Sequence, residues 1–105
     1  MSSDSARVTV SRNLDIDVRQ RQIYLSLDGQ PWATLLFGQT ATREIPPGAH
    51  TVRANNTLVW KTLEFVAQAG EHVEFDLANR PPRGFIGVMA LLGVGPLMMT
   101  FERRT

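Results

Sequence analysis

The sequence predicts an all-β protein: a single antiparallel β-sandwich of about seven strands, with a short helix or apolar loop before the last strand. Three observations predict it. First, apolar and polar residues alternate: Ile23, Leu25 and Leu27 flank Tyr24 and Ser26, and Val73, Phe75 and Leu77 flank Glu74 and Asp76. A period of two is that of a half-buried strand. Second, the alternating runs are separated by turn chemistry, at Asp28-Gly29, Pro46-Pro47-Gly48 and Ala69-Gly70-Glu71. Third, the spacing of these signals approaches the ~8–12 residues typical of sandwiches and barrels.

Taken in order, residues 1–6 read as a polar, flexible leader, and 7–105 as one domain. Val8 and Val10 set the inward face of a first strand over 7–12. Residues 13–21 are more polar, but Leu14, Ile16 and Val18 alternate with Asp15, Asp17 and Arg19, which predicts a strand extension or a charged edge. Residues 22–27 form the clearest strand. Asp28-Gly29 suits a tight hairpin turn, because Gly accepts positive φ and Asp tolerates it. Pro31 cannot donate to a ladder, so the next strand is expected to begin at Trp32, with Leu35 and Phe37 inward. Gly38-Gln39 is a further turn, and a short strand over 40–45 ends at the two prolines. Residues 50–54 place Val52 and Ala54 inward, 62–67 place Leu63, Phe65 and Ala67 inward, and 72–77 follow the Gly70 turn.

The C-terminal segment has two readings. Residues 84–101 carry no charge, and Arg80, Arg83, Glu102, Arg103 and Arg104 flank them. As a helix this run would rise ~27 Å, just short of a ~30 Å hydrocarbon core. Yet Leu97, Met99 and Phe101 alternate with Met98, Thr100 and Glu102, the pattern of a half-buried strand. The favoured expectation is a short helix or apolar loop over 84–95 and a last strand over 97–103. The alternative is a tail-anchored membrane protein with 84–101 as the anchor.

Composition narrows the function. The 105 residues are 43% hydrophobic and 20% charged, ordinary for a folded domain. Eleven basic and ten acidic side chains give a net charge of +1, which offers no field for nucleic acid. There is no cysteine, hence no disulfide, thiol catalysis or cysteine-ligated zinc. The polar N-terminal stretch lacks the apolar core of a secretory signal, so a cytoplasmic location is expected, with membrane attachment through the C-terminal apolar segment as the alternative.

The chemistry-bearing residues have plain structural explanations. His72, Glu74 and Asp76 share a strand face, but it is the solvated one. A metal site would need ligands converging from separate strands, and no spacing signature supports one. His50 follows the Pro-Gly turn and is expected to make a cross-strand hydrogen bond. Asp15 and Asp17 fall on the polar phase of an alternating run and Asp28 in a turn, with no sign of an acid–base pair. The basic residues Arg7, Arg12, Arg19, Arg21, Arg43 and Arg53 are scattered. Asn55-Asn56-Thr57 matches a glycosylation acceptor, which matters only on secretion. Gly93 and Gly95 lack the third glycine and following helix of a phosphate loop. Tyr24, on the outward phase of its strand, and Trp32 and Trp60, each after a loop, are the candidate contacts for a partner, while the favoured reading of the tryptophans is that they cap the ends of a small core.

Leu27-Asp28-Gly29, Leu35, the Pro47-Gly48-Ala49-His50-Thr51-Val52 stretch and the Gly70-Glu71 turn, over residues 22–77, resemble the PEGA-type domains. These are small bacterial β-sandwiches of transthyretin-like or carboxypeptidase-regulatory-like architecture. The resemblance implies an immunoglobulin-like, non-catalytic binding or spacer module. The apolar segment over 84–101 departs from that pattern.

The sequence therefore predicts a non-enzymatic interaction or accessory module without cofactor, metal or nucleic-acid partner. Its expected partner is a protein, and edge strands make a homodimer a further expectation.

Overall fold

The alternating runs become the strands of two four-stranded sheets in the computed structural model, which describes residues 5–17, 19, 21–57, 59–80 and 98–104, leaving aside the side chains of Arg80 and Met98. The strands are β1 (Ala6–Ser11), β2 (Ile23–Leu27), β3 (Gln30–Leu35), β4 (Thr40–Ile45), β5 (Gly48–Asn55), β6 (Trp60–Ala67), β7 (His72–Arg80) and β8 (Met98–Arg103). One sheet has the order β4-β1-β7-β8 and the other β3-β2-β5-β6. Their inner faces pack together as a sandwich.

The core is the set of inward residues that alternation marks. Val8, Val10, Ile23, Val52, Ala54, Val73, Phe75 and Leu77 are all buried to 2% exposure or less. Burying a Val, Leu, Ile or Phe side chain stabilises the fold by roughly 1.5–3 kcal/mol each. A run of rings crosses the core: Phe65 meets Phe75 edge-on at 5.3 Å, and Phe75 meets Phe101 at 5.5 Å.

The β2–β3 hairpin follows its turn residues. Asp28 and Gly29 have φ of 51° and 81°, the paired positive values of a type I′ turn. The hairpin differs from expectation at Pro31, which lies inside β3 rather than before it. β3 is an edge strand, and a bulge between Leu25 and Ser26 sits against it, so the missing N–H breaks no interior ladder. β3 ends at Leu35, and Phe37 lies in the following turn with Arg19 stacked 4.2 Å over its ring, not in an inward strand position.

Three further expectations are corrected. The sandwich is not wholly antiparallel, because β1 runs parallel to β7, with Val8 beside Val73 and Val10 beside Phe75. Local turn chemistry specifies only hairpin neighbours, and β1 and β7 are remote in sequence. Residues 13–17 are not a strand extension: Asp15 and Ile16 form a turn, Ile16 is 52% exposed and Asp17 is buried, while Val18 and Gln20 lie outside the described residues. The leader expected over 1–6 gives way at Ser5 and Ala6. Ser5 accepts the Gly70 N–H and donates to Glu44, and Ala6 opens β1 opposite Ile45.

The uncharged C-terminal run ends in the sheet. Met99 and Phe101 stand opposite Asn79 and Leu77 of β7 and are each 2% exposed. The helix or loop expected over 84–95 and Leu97 lie outside the described residues. Among the described residues no helix is long and apolar enough to cross a membrane.

Candidate functional site

Four polar side chains continue an inward strand phase, and each is buried against a built partner. Arg12 follows Val8 and Val10 in phase and is fully buried. Its Nε and Nη2 fork onto Asp17 at 2.8 and 3.3 Å, and its Nη1 donates to the carbonyls of Arg21 and Leu35. Asp17 also accepts the Arg19 N–H. Arg12 thus ties Asp17 and the Arg21 backbone to the Leu35 end of β3. Asn56 continues Val52 and Ala54, and Asn79 continues Phe75 and Leu77. The Asn56 amide donates to Asn79 Oδ1 at 2.9 Å, while Asn56 Oδ1 accepts the Val59 N–H. The Asn56 part of the glycosylation-like triplet is thus inside the fold.

His50 is the fourth. It lies at the opposite end from Arg12, next to the Asp28 turn. Its Nδ1 is 2.6 Å from Asp28 Oδ2 and its Nε2 is 2.7 Å from the Pro46 carbonyl oxygen. Burial opposes its charge, but the Asp28 hydrogen bond, the Pro46 bond and the Asp28 charge outweigh it and raise its pKa above 6.5. Burial likewise opposes ionisation of Asp28. The His50 and Thr51 hydrogen bonds, the His50 charge and Arg43 overcome it and lower its pKa below 3.8. The expected cross-strand role for His50 holds: it clasps the β2–β3 turn to β5 and the β4–β5 connection.

The outer face of the β4-β1-β7-β8 sheet carries His72, Glu74 and Asp76. His72 Nε2 meets Thr9 Oγ1 at 2.7 Å, and Thr9 meets Thr42. Arg104 bonds both Glu74 and Asp76, so these carboxylates brace the end of β8. Among the described residues no group of three or more His, Asp or Glu could hold a metal ion. Among the described residues the arginines form no stripe: Arg7 and Arg53 belong to different sheets, Arg12 is buried and Arg19 lies on Phe37.

The outer face of the β3-β2-β5-β6 sheet is different. Register sets Tyr24 opposite Asn55 and Asn55 opposite Trp60, one transverse row across three strands. With strands about 4.8 Å apart, the two aromatic residues stand about 10 Å from one another. Tyr24 is 39% exposed, Trp60 64% and Val66, further along β6 on the same face, 62%. A shallow groove of ≈ 270 Å³, lined by Tyr24, Pro31, Trp32 and Thr34, lies beside the row. Trp32 is only half exposed to this face, since it also packs on the core. The structure therefore brings Tyr24 and Trp60 into one surface and gives Trp32 a partly structural place. Sequence reasoning missed Val66, whose outward phase opposite Leu63, Phe65 and Ala67 was the available signal.

Among the described edge strands β6 is the longest. β3 carries Pro31 and the bulge, and β4 and β8 each carry two exposed charged side chains, Arg43 with Glu44 and Glu102 with Arg103, as β6 does at Lys61 and Glu64. β6 runs eight residues in unbroken register with β5, without proline, and pairs with no described strand on its other side. Charge, proline and bulges are the usual guards against edge pairing.

The sequence and fold were compared with family models, curated proteins and solved structures, and none of them matches this chain.

Proposed function

We propose that this chain is a non-enzymatic β-sandwich interaction module that binds a protein partner through the outer face of the β3-β2-β5-β6 sheet. The observation that carries the reading is the Tyr24–Asn55–Trp60 row, which holds two aromatic side chains out to solvent on a rigid sheet. Tyr and Trp are the residue types that most often anchor protein interfaces, because a large stiff ring buries much area at little entropic cost. The inward-facing histidine and the buried carboxylate support the same reading, since both are engaged in bonds that close loops onto the sandwich. The resemblance of residues 22–77 to PEGA-type modules points the same way.

The test is quantitative recovery of bound proteins from the cell of origin by the full chain and by a Tyr24→Ser/Trp60→Ser variant. Both should melt alike, because neither side chain is in the core. Proteins recovered by the parent and lost with the variant are expected. Identical recovery by both would remove the outer face as the binding surface.

A further inference from the structure

The β6 edge is self-complementary, and we infer that it pairs antiparallel with β6 of a second copy of this chain, joining two four-stranded sheets into one. Such pairing would extend the outer face proposed above across a twofold axis, and the inference rests on that reading.

Paired residues must share a face, so only registers that differ by two residues compete. With Leu63 opposite its own copy, Trp60 falls opposite the partner's Val66, and by symmetry Val66 opposite the partner's Trp60. Thr62 then faces the partner's Glu64. The two most exposed apolar side chains of the strand, at 64% and 62%, cover each other twice. Neighbouring registers are worse. Centring on Thr62 puts each Trp60 against Glu64, centring on Lys61 stacks two lysines, and centring on Glu64 stacks two glutamates. Like charges directly opposite destabilise a cross-strand pair, whereas aromatic–β-branched pairs stabilise it.

Shape agrees with register. A hollow of ≈ 420 Å³ lies at the Val66 end of β6, lined by Ala49, His50 and Thr51 of β5, Glu64, Phe65 and Val66 of β6, and Arg103 of the facing sheet. The same strand thus carries a projecting indole at one end and a hollow at the other, as a twofold interface requires. The joined outer faces would continue the Tyr24–Asn55–Trp60 row onto the partner's Val66.

The absence of cysteine makes the register directly testable. Thr62 and Glu64 are exposed, so Thr62→Cys and Glu64→Cys should fold. Directly opposed residues have Cβ atoms about 4.5–5.5 Å apart, and diagonal ones stand too far apart to bridge. Mixing the two single variants under mild oxidation should give a dimer holding one copy of each, cross-linked through their introduced thiols, with little from either variant alone. Sedimentation of the full chain should show a dimer that dissociates on dilution. Val66→Glu should weaken it roughly tenfold, since the change is felt at both ends of the interface. A chain that is monomeric at every concentration overturns the inference, as does a dimer that Val66→Glu leaves intact or that cross-links only through Thr62→Cys alone. If the chain is monomeric yet still recovers proteins through Tyr24 and Trp60, self-pairing fails while the interaction reading stands.

Discussion

His50 holds Asp28 on one ring nitrogen and the Pro46 carbonyl on the other, at 2.6 and 2.7 Å. A carbonyl oxygen and an ionised carboxylate only accept, so this geometry favours the doubly protonated ring, in keeping with the raised pKa of His50. One buried ring thereby joins the ends of β2, β4 and β5.

That clasp predicts a pH-dependent stability. The raised pKa of His50 contributes stability that is full below about 6.5 and is lost as pH rises through its folded value. The lowered pKa of Asp28 contributes above about 3.8 and is lost as pH falls through its own folded value. The pair therefore stabilises most between those two ordinary values. The melting-temperature difference between the parent and His50→Gln should be largest there and shrink in mildly alkaline buffer. An NMR titration should place the His50 midpoint above 6.5.

Arg12→Met should be among the most damaging single changes. It leaves the Asp17 carboxylate inside, where its side chain is 0% exposed, and strips donors from two carbonyls. Loss of one partner of a buried ion pair costs about 3–5 kcal/mol. Arg12→Lys should not restore it, because an ammonium cannot fork onto Asp17 and reach both carbonyls at once. Arg12→Met/Asp17→Leu should be less damaged than Arg12→Met alone. Urea unfolding of the three variants checks the order.

Asn56→Ala should destabilise by about 1–3 kcal/mol, the cost of leaving a buried polar group unpaired. It removes the donor to Asn79 and the acceptor for the Val59 N–H. Amide exchange should quicken at Val59 before it does within β6, since that N–H loses its acceptor.

Core and outer-face residues should separate cleanly. Phe75→Ala removes a ring packed between Phe65 and Phe101 and should cost about 3–5 kcal/mol. In dilute, monomeric protein, Tyr24→Ser and Val66→Ser should each change stability by no more than about 0.5 kcal/mol, the usual range for surface positions. Thermal melts of the three decide it.

The parts of this fold that rest on local chemistry were legible in the sequence. β2, β5, β6 and β7 follow from period-two alternation, and the hairpin turn from Asp28-Gly29. The parallel contact of β1 with β7 was not legible, because no turn links them. The buried polar groups left a signal that apolar counting passes over. Arg12, His50, Asn56 and Asn79 each extend an inward phase by one position, after Val10, before Val52, after Ala54 and after Leu77. A polar residue in that position must be buried with a partner or break the strand. Asp17 left no such signal, since its burial depends on where a loop closes. The pairing of Tyr24 with Trp60 depended on the β2–β5–β6 order, which alternation does not specify.

The most direct test of the interaction surface is side-chain hydroxyl-radical footprinting of the full chain, in its cell of origin and as dilute purified protein. The account predicts that Tyr24, Trp60 and Val66 lose reactivity in the cell, while Ile16 and Leu36, exposed elsewhere, keep theirs. Unchanged reactivity at Trp60 and Tyr24, or protection confined to the His72 and Glu74 face, would contradict it.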